Sequence, residues 1–209
     1  MSEAARSYLR FADSYVPEFA PPLILAVGGL MGSGKTTLAS AVSRALSGQT
    51  LHTDTIRDEL ANKKKLDLRD KSTDFGEGKY ASENRNLVYE EMLRRVPDRL
   101  DRNPTIVLDG TFSTEDSRIR VATVADRLNA QWLHVECVCP QEVSLQRMES
   151  RTITGDPTGS EGRPDLYRQQ LAEYESPPQG DRFADVDTTQ PVSRQVESVI
   201  KAVRELAAG

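Results

Sequence analysis

The run Gly28-Gly29-Leu30-Met31-Gly32-Ser33-Gly34-Lys35-Thr36-Thr37 constrains this chain more than any other stretch. From Gly29 it has the spacing G-x-x-x-x-G-K-T of a phosphate-binding loop. Glycines let the backbone curl so that successive N–H groups face phosphate oxygens, an approach that side chains would crowd. Lys35 adds a mobile positive charge for the outer phosphates, and the Thr36 hydroxyl is suited to hold Mg²⁺. A helix starting near Lys35 would aim the positive end of its dipole at the same anion. Gly29, Leu30, Met31, Gly32, Ser33, Gly34, Lys35, Thr36 and Thr37 are therefore the expected nucleotide-binding residues.

The flanks suit the motif. Pro21-Pro22 precede the apolar run Leu23–Val27, which reads as a buried parallel strand. Downstream, Leu38, Val42, Ala45 and Leu46 recur at helical spacing, and Gly48 supplies a stop. Further strands are expected at 49–53, 105–108, 132–138 and 183–188, separated by helices that include one ended or kinked by Pro97 and one running from Pro140 through Ser150. Strands alternating with helices predict an α/β fold of the P-loop NTPase type, a five-stranded parallel sheet flanked by helices. Ligands of such sheets bind beyond the carboxyl ends of the strands, where Gly29–Thr36, Asp54 and Asp109 would be gathered.

Residues 3–16 place Tyr8, Phe11, Ala12 and Tyr15 on one helical stripe, and 1–21 is read as an N-terminal extension to a domain at 22–209. Residues 61–79, with Lys63-Lys64-Lys65, and the glycine-rich stretch 152–163 are read as mobile, the lid spanning about 151–164. A length of 209 residues suits one domain with a proper core. The net charge of −5 argues against nucleic-acid binding by global electrostatics. Cys137 and Cys139, two apart along a strand, are poorly placed for a disulfide and read as reduced thiols. With no signal-peptide pattern or membrane-length apolar run, this makes a cytoplasmic protein the expectation.

Several motifs then occur in the order of a known family. His52-Thr53-Asp54-Thr55-Ile56-Arg57 resembles the second-strand motif S-D-x-x-R of P-loop kinases in the polynucleotide kinase and zeta-toxin group. The chain is most similar to predicted ATP-binding kinase domains often fused to an aminoglycoside-phosphotransferase-like domain. Tyr80–Tyr89 resembles a helix of those domains, Val107–Phe112 their D-A-T-F strand end, and Arg147–Arg151 their arginine-bearing lid. The chain departs mildly in two places, with Thr53 where the family usually has serine and Gly110 where it often has alanine. The resemblance implies a kinase that uses ATP, leaves the acceptor open, and makes an aminoglycoside-phosphotransferase-like protein a possible partner.

Six residues carry the expected chemistry. Lys35 is expected to act on the phosphates. Asp54 is either the base that takes the proton of an acceptor hydroxyl or a helix N-cap, and the resemblance favours the base. Arg57, one turn on, is a candidate clamp for the acceptor or a partner in a surface ion pair. Asp109, at the end of an apolar strand, would support Mg²⁺ with Thr36; the following Gly110 is not the glutamate of motor ATPases, which favours transfer over hydrolysis. Arg147 and Arg151, at i, i+4, are the candidate catalytic arginines of the lid, Arg151 preferred because it lies at the lid itself. His52 and His134 lack ligand-spaced partners and read as structural. The expected function is transfer of the γ-phosphoryl of ATP, with Mg²⁺, to a hydroxyl of a small metabolite, an antibiotic or a nucleic-acid end. The alternatives are a zeta-toxin-like nucleotide-sugar kinase and a nucleotide-dependent switch.

Overall fold

A computed structural model describes residues 21–63, Leu66, 82–154 and 164–208, with no side chains described at 82, 151–154, 164 and 165. The expected N-terminal helix at 3–16, most of the polar segment 61–79 and the stretch 155–163 lie outside the described residues. The strands are β1 (Leu23–Gly28), β2 (Gln49–His52), β3 (Thr105–Asp109), β4 (Gln131–Val138) and β5 (Phe183–Asp187). The helices are α1 (Lys35–Ala45), α2 (Thr53–Asn62), α3 (Ser82–Arg94), α4 (Val96–Leu100), α5 (Glu115–Arg127), α6 (Gln141–Thr154), α7 (Pro164–Ala172) and α8 (Val192–Ala208).

The strands form one parallel sheet in the order β2-β3-β1-β4-β5. Every residue of β1 is buried, as the unbroken apolar run of a central parallel strand requires. The pleat divides its side chains between two cores. Ile24 and Ala26 pack with Ile106, Leu108, Phe112 and Met92 on one face, and Leu25 and Val27 with Val42, Val107, Val135 and Val199 on the other. Register carries the organisation to the site: Val27 pairs with Asp109, His52 with Asp109, and Gly28 with Glu136. The ends of four strands thus meet around the start of the glycine loop.

Some expected boundaries move. Thr53 opens α2 rather than ending β2, and the helix expected to stop at Ser150 continues through Thr154, so the first residues of the expected lid are helical. Pro97 begins rather than closes an element: it stands in the first turn of α4, where its missing N–H has no helical acceptor to satisfy. No helix among the described residues is long and apolar enough to cross a membrane.

Candidate active site

The loop between β1 and α1 curls through Gly29, Gly32 and Gly34, with φ of 126°, 74° and 96°. Gly32 is required for a second reason. A Cβ there would lie 2.6 Å from the backbone oxygen of Ser144, so α6 passes against the bare loop. Gly34 caps α1 without a side-chain hydrogen bond, and no acidic residue stands in the helix's first turn. The positive helix end is therefore left for an anion from outside. Gly29 N donates to Thr111 O at 3.1 Å, fixing the loop to the segment after β3.

In such a loop the N–H groups face inward and the carbonyls outward, and the outward carbonyls are bound from behind. Thr188 Oγ1 donates to Ser33 O at 2.6 Å. Arg147 Nη1 lies 3.4 Å from Gly32 O, 3.3 Å from Ser33 O and 3.1 Å from Thr188 Oγ1, while Nη2 donates to Thr188 O at 2.7 Å. Arg147 thus ties α6, the loop and the turn after β5 together. Arg151 lies one turn farther along α6, among the residues whose side chains are not described. Lys35 Nζ donates to Leu30 O at 2.8 Å, and Thr36 beside it is half-buried while Thr37 is exposed.

Asp109 sits at the end of β3 with its side chain 7% exposed, and His52 Nδ1 lies 2.8 Å from its Oδ2. That hydrogen bond raises the imidazole's pKa above its ordinary value, against an opposing effect of burial. His52 is therefore part of the site rather than an isolated structural residue. Its sequence signal was its place beside Thr53-Asp54; what hid it was the register, which alone sets it opposite Asp109. Asp54 is not the cap of α2. The N-cap position belongs to His52, which makes no side-chain cap, and Asp54 stands in the first turn. Its carboxylate pairs with Arg57 one turn on; the Asp54 side chain is 45% exposed and the Arg57 side chain 12%. An open carboxylate is thus steadied by a largely buried guanidinium.

Thr53 and Gly110 lie close against each other. A Cβ on Gly110 would fall 2.9 Å from Cγ2 of Thr53, the methyl group that a serine lacks, and 3.2 Å from the hydroxyl of Tyr89. The Tyr89 hydroxyl accepts from Phe112 N at 2.9 Å, and burial pushes its pKa up.

On the other flank of the loop, fully buried His134 lies 3.0 Å from Glu136 Oε2, and the Tyr174 hydroxyl donates to Glu136 Oε1 at 2.5 Å. Glu136 and Tyr174 face a cavity of about 280 Å³ whose walls include Leu30, Ser33, Tyr167 and Asp185. No arginine or lysine is among its described lining residues. Sequence patterning marked none of this network, because its members come together only where β4 meets the chain after α7. Cys137 and Cys139 are free thiols.

A family model described as an AAA domain matches residues 23–177. Uncharacterized proteins of Mycobacterium tuberculosis and Mycobacterium bovis are 29% identical over 131 residues, 60% of this chain and 25% of theirs. The chain thus spans about a quarter of the length of the curated relatives it matches. Among solved structures, a gluconokinase from Sinorhizobium meliloti superposes with a TM-score of 0.62 at 19% identity, covering 90% of this chain and 94% of that one. The Mycobacterium tuberculosis APS kinase CysC, in complex with AMPPNP and APS, does so with a TM-score of 0.62 at 16% identity, covering 88% and 99%. Chaetomium thermophilum Kti12, in complex with ADP-AlF3, gives 0.62 at 15%, covering 90% and 100%. At these identities the likeness is one of fold.

Proposed function

The chain belongs to the AAA domain family of P-loop kinases, and from that premise we propose that it transfers the γ-phosphoryl group of ATP to a hydroxyl acceptor. One observation carries the reading. The phosphate loop, an exposed carboxylate at the start of α2 and a buried carboxylate at the end of β3 converge on one edge of the sheet. A switch needs the first and the third of these but has no use for an open carboxylate beside the second strand.

The residues present fit a nucleotide. Gly32 has no room for a side chain, the N-terminus of α1 is uncapped by any side chain, and Ser33 Oγ is buried with no partner among the described residues. Thr36 and Asp109 would hold Mg²⁺, which when bound neutralises charge on the phosphate oxygens. Among the described residues no three His, Cys, Asp or Glu side chains cluster as a protein-built metal cage. Magnesium in kinases takes only one or two carboxylates and completes its shell with phosphate and water.

In the proposed reaction the acceptor oxygen attacks the γ-phosphorus while the bond to the β–γ bridging oxygen breaks. Asp54 takes the hydroxyl proton, and Arg57, paired with it, keeps that carboxylate aimed. Lys35 leaves Leu30 O for the phosphates, where its charge offsets that gathering on the transferred group. Arg147 holds the loop from behind in this reading, and Arg151 remains the candidate for charge stabilisation at the lid. The acceptor, a small metabolite, an antibiotic or a nucleic-acid end, would approach on the Asp54 and Arg57 side of the loop, the flank opposite the cavity of Glu136 and Asp185. An aminoglycoside-phosphotransferase-like partner stays part of the proposal, in keeping with relatives about four times as long as their matched quarter.

The test is a panel of sugars, aminoglycosides, nucleotide sugars and oligonucleotide ends incubated with labelled ATP and Mg²⁺, with Lys35→Ala run in parallel. Label appearing on one acceptor class with wild type and not with Lys35→Ala supports the reading. Transfer by Lys35→Ala at the wild-type rate would remove it.

A further inference from the structure

The peptide unit between Leu30 and Met31 is gripped at both ends. Lys35 Nζ donates to its carbonyl oxygen at 2.8 Å, and its N–H donates to Oε1 of Gln170 at 2.7 Å. Gln170 comes from α7, 139 residues downstream, and is only 7% exposed. It is not a stray surface contact. Leu166 and Tyr167 of the same helix are each 3% exposed, and Tyr167 hydrogen-bonds Ser144, the α6 residue whose backbone lies against Gly32. Two helices therefore seat on the loop, α6 at Gly32 and α7 at Met31.

The position on the loop decides what Gln170 meets. The N–H groups from Gly32 to Lys35 lie nearest the start of α1 and suit the inner phosphates of a nucleotide. Met31 precedes them, on the stretch of the loop farther from the start of α1 along the chain, where the outermost phosphate would lie. A primary amide offers one acceptor oxygen and two N–H donors on a single plane. Its neutral oxygen is a weaker acceptor than an ionised phosphate oxygen, and its donors make charge-assisted bonds to such an oxygen.

Resting on the phosphotransferase reading, we propose that Gln170 is a positioning residue that distinguishes a triphosphate from a diphosphate. Without nucleotide, its oxygen fixes the Leu30–Met31 peptide. A terminal phosphate oxygen takes the Met31 N–H, and the amide turns its N–H₂ group toward that oxygen. Lys35 makes the parallel move from the other end of the same peptide. A diphosphate does not reach Met31, so the bond from Met31 to Gln170 survives in the product complex and α7 is seated differently before and after transfer.

The test measures binding of ADP and of a non-hydrolysable ATP analogue by calorimetry to wild type, Gln170→Glu and Gln170→Met, with thermal unfolding as the check on folding. Gln170→Glu keeps an acceptor for Met31 but adds charge facing the terminal phosphate. It should weaken the analogue ~10-fold or more and ADP by less than ~2-fold. Gln170→Met keeps length and loses both polar ends; it should weaken the analogue ~3- to 10-fold and again spare ADP. Equal effects on the two nucleotides, or an unchanged ratio in a folded variant, would overturn the assignment and leave Gln170 a brace between α7 and the loop. Failure of the wild type to bind either nucleotide would instead overturn the phosphotransferase reading, and this inference with it.

Discussion

The γ-methyl of Thr53 occupies the space that a side chain on Gly110 would need, with only 2.9 Å between Cγ2 and the position of a Cβ. The two residues come from different strand ends, yet they exchange one methyl group between them. A serine at 53 and an alanine at 110 would fill the same volume from the opposite side.

A double-mutant cycle checks this. Gly110→Ala alone should cost about 1–3 kcal/mol, because the added methyl meets Thr53 and the Tyr89 hydroxyl in a packed core. Thr53→Ser alone should cost about 1 kcal/mol for a lost buried methyl. The double variant should melt close to wild type, giving a coupling of about 1 kcal/mol or more in chemical denaturation. Strict additivity would show that the two sites do not share the space.

The fold was legible because its signals are local. An unbroken apolar run fixed β1, the glycine spacing fixed the loop, and the alternation of strands and helices fixed a parallel sheet. The strand order was not legible, nor was the register that sets His52 against Asp109, since both depend on which chain segments pair at long range. The two arginines on α6 were visible as a pair, but not the target of Arg147, which is a set of backbone carbonyls and so leaves no trace in residue identity. Gln170 was invisible for the same reason, its partner being an N–H that every non-proline residue owns.

The helix pair that flanks Asp54 should loosen in acid. Arg95 bridges Glu59 of α2 at 2.7 Å and Glu91 of α3 at 2.9 Å, and Arg94 binds Glu91 through two further bonds. The hydrogen bond from Arg94, joined by Arg95, holds the Glu91 carboxyl down to about 2 from an ordinary 4.5. A lowered carboxyl pKa stabilises the fold above the unfolded value and stops doing so as pH falls through the folded one. The contribution should therefore be complete above pH 4.5 and fade toward pH 2. Because these side chains are partly exposed, Glu91→Gln should cost no more than about 1 kcal/mol at neutral pH. Its melting temperature should fall less steeply than wild type between those pH values; parallel curves would show the pair to be inert.

Arg147 and Arg151 should separate in kinetics. With its guanidinium on Gly32 O, Ser33 O and Thr188, Arg147 shapes the loop that receives the phosphates. Arg147→Ala should weaken ATP-analogue binding and lower the melting temperature, with kcat less affected. Arg151→Ala should leave binding near wild type and lower kcat, the behaviour of a group acting mainly in the transition state. The reverse pattern would make Arg147 the lid arginine and Arg151 a surface residue.

Asp54 decides between transfer and mere binding. Because the N-cap of α2 is His52, replacing Asp54 does not remove a cap, and its cost to the fold is confined to the pair with Arg57 and the helix dipole. That cost should stay near ~1 kcal/mol, since the carboxylate is 45% exposed. Asn matches the shape and still accepts a hydrogen bond from Arg57, but it cannot take a proton. Asp54→Asn should therefore melt within a few degrees of wild type and bind an ATP analogue normally. Transfer to the acceptor should fall on the order of 10²–10⁴-fold, the usual contribution of a positioned base. Normal turnover by a folded Asp54→Asn would show that the proton leaves by another route. Loss of analogue binding would place Asp54 in the nucleotide site instead.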